Sequence, residues 1–151
     1  MLKKIFRFIF MDAKLQETVD FLRTIVIFKG LSTRTLRKIA LIVFEKRYSD
    51  GEIIYEPNKN ADVFYIVKEG LVRVSNESSE KILNAGEFFG LSAFFSGKNH
   101  DTLARAGKNS TLFLIYRVRL NDVISPTSKS GVKLMNNIVG LLLLKIKSLE
   151  I

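Results

Sequence analysis

From Asp12 to Phe28 the apolar positions Leu15, Val19, Leu22 and Val26 recur every three or four residues, the spacing of one helical face, with Asp12 as its N-cap. Ser32 caps a second helix, on which Leu36, Ile39, Ala40 and Val43 share a side. From Tyr48 the period shortens towards two. Ile53–Tyr55, Phe64–Val67, Leu71–Ser75, Lys81–Leu83 and Thr111–Ile115 read as short strands. Turn signals separate them at Ser49-Asp50-Gly51, at Glu56–Asp62 and in the polar hairpin loop Asn76–Glu80. Past Tyr116 the helical period returns. Leu120, Val123 and Ile124 form a short apolar face ended by Ser125-Pro126. A long helix follows from about Ser128 to Glu150. Short strands bracketed by helices predict a mainly-β α+β fold. Its centre is an antiparallel double-stranded β-helix (a β-roll or jelly roll), flanked by N-terminal helices and a long C-terminal helix.

That last helix carries Met135, Val139, Leu142, Ile146 and Leu149 at spacings of four and three, a seam suited to another helix. Ile138, Leu141 and Leu144 add apolar surface beside it. A small domain covers one stripe with its own body, and a second stripe calls for a partner, so a homodimer through these five seam residues is expected. The chain accordingly divides into an N-terminal extension and helix (1–27), a β-roll with flanking helices (28–125) and a dimerisation helix (126–151).

The stretch Gly86–Ile115 combines Gly86 and Gly90, spaced Gly-x-x-x-Gly, with a helical turn Leu91–Phe95 and a polar loop Ser96–Asp101. Glycines allow positive φ and close backbone approach, and a first helical turn presents N–H groups to an anion. Three upstream segments precede it in order: Phe28-Lys29-Gly30-Leu31-Ser32 before a helix, Tyr48–Ile54, and Val63–Val74 with its Tyr-Ile-x-x-x-Gly core. Together the four resemble the cyclic nucleotide-binding domain family, including catabolite activator-like effector domains. Gly51, Gly70, Gly86 and Gly90 stand where that pattern places glycines.

The resemblance implies a ligand pocket at Phe89, Gly90, Leu91, Ser92, Ala93, His100, Asp101 and Thr102, and cAMP or cGMP as its occupant. It also shows a degenerate phosphate-binding cassette. Relatives hold the cyclic phosphate with a loop arginine and the ribose hydroxyl with a glutamate after the second glycine. Here those positions fall on His100 and Leu91. Ser92 and Thr102 offer hydroxyls, and Lys98 a mobile positive charge. His100, the only histidine, is read as exposed loop surface rather than as a phosphate partner or haem ligand. Phe88, Phe89, Phe94 and Phe95 are read as core, and Arg105 as facing solvent. The resemblance implies a non-enzymatic regulatory or sensor domain in which an effector in the roll signals through the last helix. The alternative is a dimerising interaction module that binds no nucleotide.

Composition narrows these classes. At 151 residues and 47% apolar, the chain has the size and content of one folded domain. With no cysteine it has neither disulfides nor a thiolate metal site. No nucleophile–base set, metal-ligand spacing or phosphate-loop motif supports catalysis. The net charge of +9 is spread along the chain, which reads as a solvated basic surface. No helix-turn-helix follows the long helix, so direct DNA binding is not expected. Residues 1–10, MLKKIFRFIF, have no signal-peptide cleavage site and are too short to span a bilayer. They are expected to pack on the domain or to be a dispensable extension, with Met11 as an alternative start. Membrane contact is not expected, and the chain is assigned to the cytoplasm.

Overall fold

A computed structural model describes residues 1–147. Two compact units divide them. One comprises residues 42–120 and the other comprises the flanking segments before and after it.

Eight strands build the first unit: β1 (Phe44–Tyr48), β2 (Ile53–Tyr55), β3 (Val63–Glu69), β4 (Leu71–Ser75), β5 (Glu80–Asn84), β6 (Phe88–Phe89), β7 (Leu103–Ala106) and β8 (Ser110–Tyr116). They form two four-stranded antiparallel sheets, ordered β1-β8-β3-β6 and β2-β7-β4-β5. Side chains alternate across each strand, so every second residue points between the sheets. One shared core results, drawing Tyr48, Tyr65, Val67, Leu112 and Leu114 from the first sheet and Tyr55, Val72, Leu83, Ala104 and Ala106 from the second. The expected β-roll is therefore present, and the strands expected from the period-two segments are all found. Three further strands were not expected: Phe88–Phe89, Leu103–Ala106, and Phe44–Tyr48, which the helical reading up to Val43 and the turn at Ser49 left hidden.

The turn from β3 to β4 explains one glycine. Gly70 has φ +90°, and a Cβ there would collide with Ser110, whose Oγ accepts from the Leu71 amide at 3.1 Å. Between β4 and β5, Asn76 Oδ1 accepts from the amides of Ser78 (3.0 Å) and Ser79 (2.9 Å), which fixes the polar hairpin.

The second unit contains α1 (Leu2–Thr24), a 3-10 turn (Val26–Phe28), α2 (Thr33–Ile42, ending at the boundary) and α5 (Lys129–Lys147); α3 (Leu91–Ser96) belongs to the roll and α4 (Arg117–Val123) spans the second boundary. Val19, Leu22, Ile25, Ile27, Phe28, Leu36 and Ile39 are fully or almost fully buried. Ser32 caps α2 as expected, its Oγ accepting from the Thr35 amide at 3.2 Å. Ser128 caps α5 in the same manner through the Gly131 amide at 3.0 Å. Asp12 is not an N-cap. Helix α1 runs straight through it from Leu2, and the carboxylate meets Arg37 at 3.2 Å.

Helix α5 is anchored by Asn137, whose amide donates to the carbonyls of Ile27 (2.9 Å) and Lys29 (2.8 Å), and by a Thr35–Ser130 hydroxyl pair at 2.9 Å. Leu134 and Ile138 are buried, whereas Met135, Val139, Leu142 and Ile146 are 38%, 47%, 49% and 51% exposed. Leu149 lies outside the described residues.

Candidate functional site

The turn that enters the cassette is set by Gly86, at φ +88°, whose amide donates to the Val67 carbonyl at 2.8 Å. Glu87 closes it by accepting from the Asn84 amide at 2.8 Å. Two residues of strand then pair Phe89 with Tyr65 of β3. Gly90 follows at φ 78° and ψ 0°, a left-handed conformation that starts α3. Helix α3 is short and ends at Gly97, also left-handed. Its first-turn amides, Leu91 to Ala93, have no acceptor within the helix. Phe94 holds it down, edge-on against Phe64 at 5.2 Å. Arg117 lies 5.3 Å from the Phe94 ring while donating to the Ala61 carbonyl at 3.0 Å.

Beyond α3 the loop turns inward at His100. Its amide donates to the Lys59 carbonyl (2.9 Å) and its carbonyl accepts from the Asn58 amide (2.8 Å). These two bonds drive the imidazole into the roll. His100 is only 3% exposed, which overturns its reading as loop surface. The ring stacks on Tyr55 at 3.6 Å between centroids and 6° between planes. The Tyr55 hydroxyl is hydrogen-bonded to Thr102 Oγ1 at 3.1 Å. Tyr65 stacks on Phe89 at 5.0 Å, and Tyr55 lies 5.7 Å from Tyr65 and 6.0 Å from Phe89. Tyr65 and His100 also reach the cassette backbone: a Cβ on Gly90 would sit 3.4 Å from one ring and 3.5 Å from the other.

Burial lowers the His100 pKa from 6.5, with Asp101 opposing, so the imidazole is mainly neutral at pH 7. Burial raises the phenols of Tyr55 and Tyr65, which stay protonated. The site is thus an uncharged aromatic plug beside Gly90.

Of the expected site residues, the structure gathers Phe89, Gly90, His100 and Thr102. Leu91 and Ala93 are half-buried on α3, and Ser92 and Asp101 are exposed. Arg105 is exposed and donates to the Gly51 carbonyl at 3.1 Å. Tyr55 and Tyr65, central to the plug, were not among the expected residues. The signal for them is strand alternation, which puts Tyr65 and Val67 on the inner side together. Among the described residues no cluster of three or more His, Asp or Glu side chains is placed to hold a metal. No described helix is long and apolar enough to cross a membrane.

Comparison with known proteins bears on this geometry. Residues 45–126, just over half of the chain, match the Cyclic nucleotide-binding domain family. Isozyme 2 of the cGMP-dependent protein kinase of Drosophila melanogaster is 29% identical over 118 residues, covering 72% of this chain but 13% of the kinase. A solved chain from Geobacter metallireducens is 30% identical and superposes with a TM-score of 0.71, covering 83% of this chain and 95% of its own. The regulatory domain of Toxoplasma gondii PKA, solved with cAMP, superposes at TM-score 0.72 over 93% of this chain and 51% of that one; at 21% identity this likeness speaks for the fold. The glycine-framed cassette, the β-roll and the match over residues 45–126 agree: this chain belongs to the cyclic nucleotide-binding domain family.

Proposed function

We propose that the chain is a non-enzymatic regulatory domain whose roll is closed to cAMP and cGMP by its own side chains, and which works as a dimerising interaction module. The observation that carries this reading is His100, buried and stacked on Tyr55 beside Gly90. A neutral imidazole there supplies no charge to a cyclic phosphate, and Leu91 supplies no acceptor to a ribose hydroxyl. Two missing charge-assisted hydrogen bonds of about 1.5–3 kcal/mol each weaken nucleotide binding by roughly two to four orders of magnitude. The apolar stripe Met135, Val139, Leu142 and Ile146 on α5 supports dimerisation.

The preserved cassette backbone favours a second reading, in which a small effector in the roll signals through α5. Gly90 and the open first turn of α3 keep the donor geometry an anion uses. A cyclic nucleotide, or a replacement ligand, would have to displace the His100 ring and shift α5 by its differential affinity for two states.

Titration calorimetry and thermal melting with cAMP and with cGMP separate the two. The expected outcome is no heat and no rise in Tm at millimolar nucleotide, because a ligand that binds the folded state must stabilise it. Saturable binding of either nucleotide overturns the closed-roll reading in favour of the sensor.

A further inference from the structure

Residues 1–10 were expected to pack on the domain or to be a dispensable extension, and the structure leaves them exposed. Leu2, Ile5, Phe6, Phe8, Ile9, Phe10 and Met11 are between 54% and 75% exposed although they form the first turns of the continuous helix α1. At 3.6 residues per turn, Leu2, Ile5, Phe6 and Ile9 line one side of this segment. Lys3, Lys4 and Arg7 line the other, with Met11 among them, and Phe8 and Phe10 stand on the two flanks. No acidic residue occurs before Asp12, and Asp12 is already engaged by Arg37.

We propose that residues 2–11 of α1 form a lipid-surface anchor that lies flat in the interface of an anionic membrane. Charge complementarity selects this occupant. Three cations without a neighbouring acid suit anionic headgroups, while the aliphatic and phenyl groups opposite them enter the acyl boundary. The lysine and arginine stems let their charges stay in the headgroup layer. A second copy of residues 2–11, which contain no acid, would offer no counter-charge to Lys3, Lys4 and Arg7. A nucleic acid would satisfy the cations and leave the apolar side in water. The segment, about 15 Å long, lies on the surface and does not cross it. This inference is independent of what the roll binds.

The test uses the full chain with sedimented vesicles of phosphatidylcholine, alone or with about 30 mol% phosphatidylserine. The protein should pellet with the anionic vesicles at low salt and be released by high salt. The triple variant Lys3→Glu, Lys4→Glu, Arg7→Glu should partition at least about a hundredfold more weakly. The variant Phe6→Ser, Phe8→Ser, Ile9→Ser should lose binding, with its melting temperature unchanged because those side chains are exposed. The chain has no tryptophan, so Phe8→Trp reports on this position alone, and its emission should shift to the blue on anionic vesicles. Absence of binding to anionic vesicles, or equal binding by all variants, overturns the proposal. So does a lipid-free oligomer that dissociates in the Phe6/Phe8/Ile9 variant while vesicles pellet nothing.

Discussion

At the scale of single residues, His100 decides the character of the site, and it does so by burial. A loop reading Gly-Lys-Asn-His-Asp has the composition of solvent-exposed chain, and local sequence gives no reason to bury its histidine. The reason lies in Tyr55, which arrives from another strand to stack on the ring, and in the backbone bonds to Asn58 and Lys59. A pH prediction follows from the lowered pKa. The folded protein holds the His100 proton less tightly than the unfolded chain, whose value is 6.5. The contribution to stability is complete above that value and is lost as pH falls from it towards the folded pKa. Replacing His100→Phe keeps an aromatic ring and removes the proton. Urea midpoints measured at neutral pH and at about pH 5 should then differ less in the variant than in the parent. An unchanged difference would assign the acid sensitivity to other groups.

Among elements, α5 is held by a side chain that its hydrophobic pattern does not reveal. Asn137 follows Asn136 and lies off the seam of Met135, Val139, Leu142 and Ile146, yet it satisfies the carbonyls of Ile27 and Lys29 where the chain turns out of the 3-10 segment. Asn137→Ala removes both bonds and should lower stability by about 1–3 kcal/mol, read from the urea midpoint at constant slope. A change within a few tenths of a kcal/mol would mean that water replaces the amide without cost. Helix α1 gives the complementary lesson. Asp12 has the chemistry of an N-cap, and the helix passes through it because Arg37 provides a partner and ten further residues sustain the period. Propensity at one position was outweighed by continuity along the element.

For the whole molecule, the prediction concerns assembly. The apolar stripe of α5 extends over four exposed residues of the described chain, at a spacing that suits a second helix. Sedimentation equilibrium should give a dimer, and Leu142→Lys, placing a charge at the centre of that stripe, should shift it to monomer while the melting profile of diluted protein stays close to the parent's. A parent chain that remains monomeric at high concentration would remove dimerisation from the proposed function. The basic excess of +9 sets the electrostatic background of such a dimer, so its affinity should rise with added salt.

The family, the β-roll and five of its eight strands were legible in the sequence. Period-two runs, glycine turns and the Gly86–Gly90 cassette are local signals, whereas the pairings of β1 and β3 with β8 and of β2 and β4 with β7 join segments far apart in the chain. The family resemblance set His100 and Leu91 where an arginine and a glutamate are expected. Tertiary structure alone decided what fills their place: Tyr55, Tyr65, Phe89 and His100 come from four separate segments, and their stacking depends on distances that no stretch of sequence encodes. It also decided that the first turns of α1 stand bare, because burial depends on which surfaces the rest of the chain has already covered.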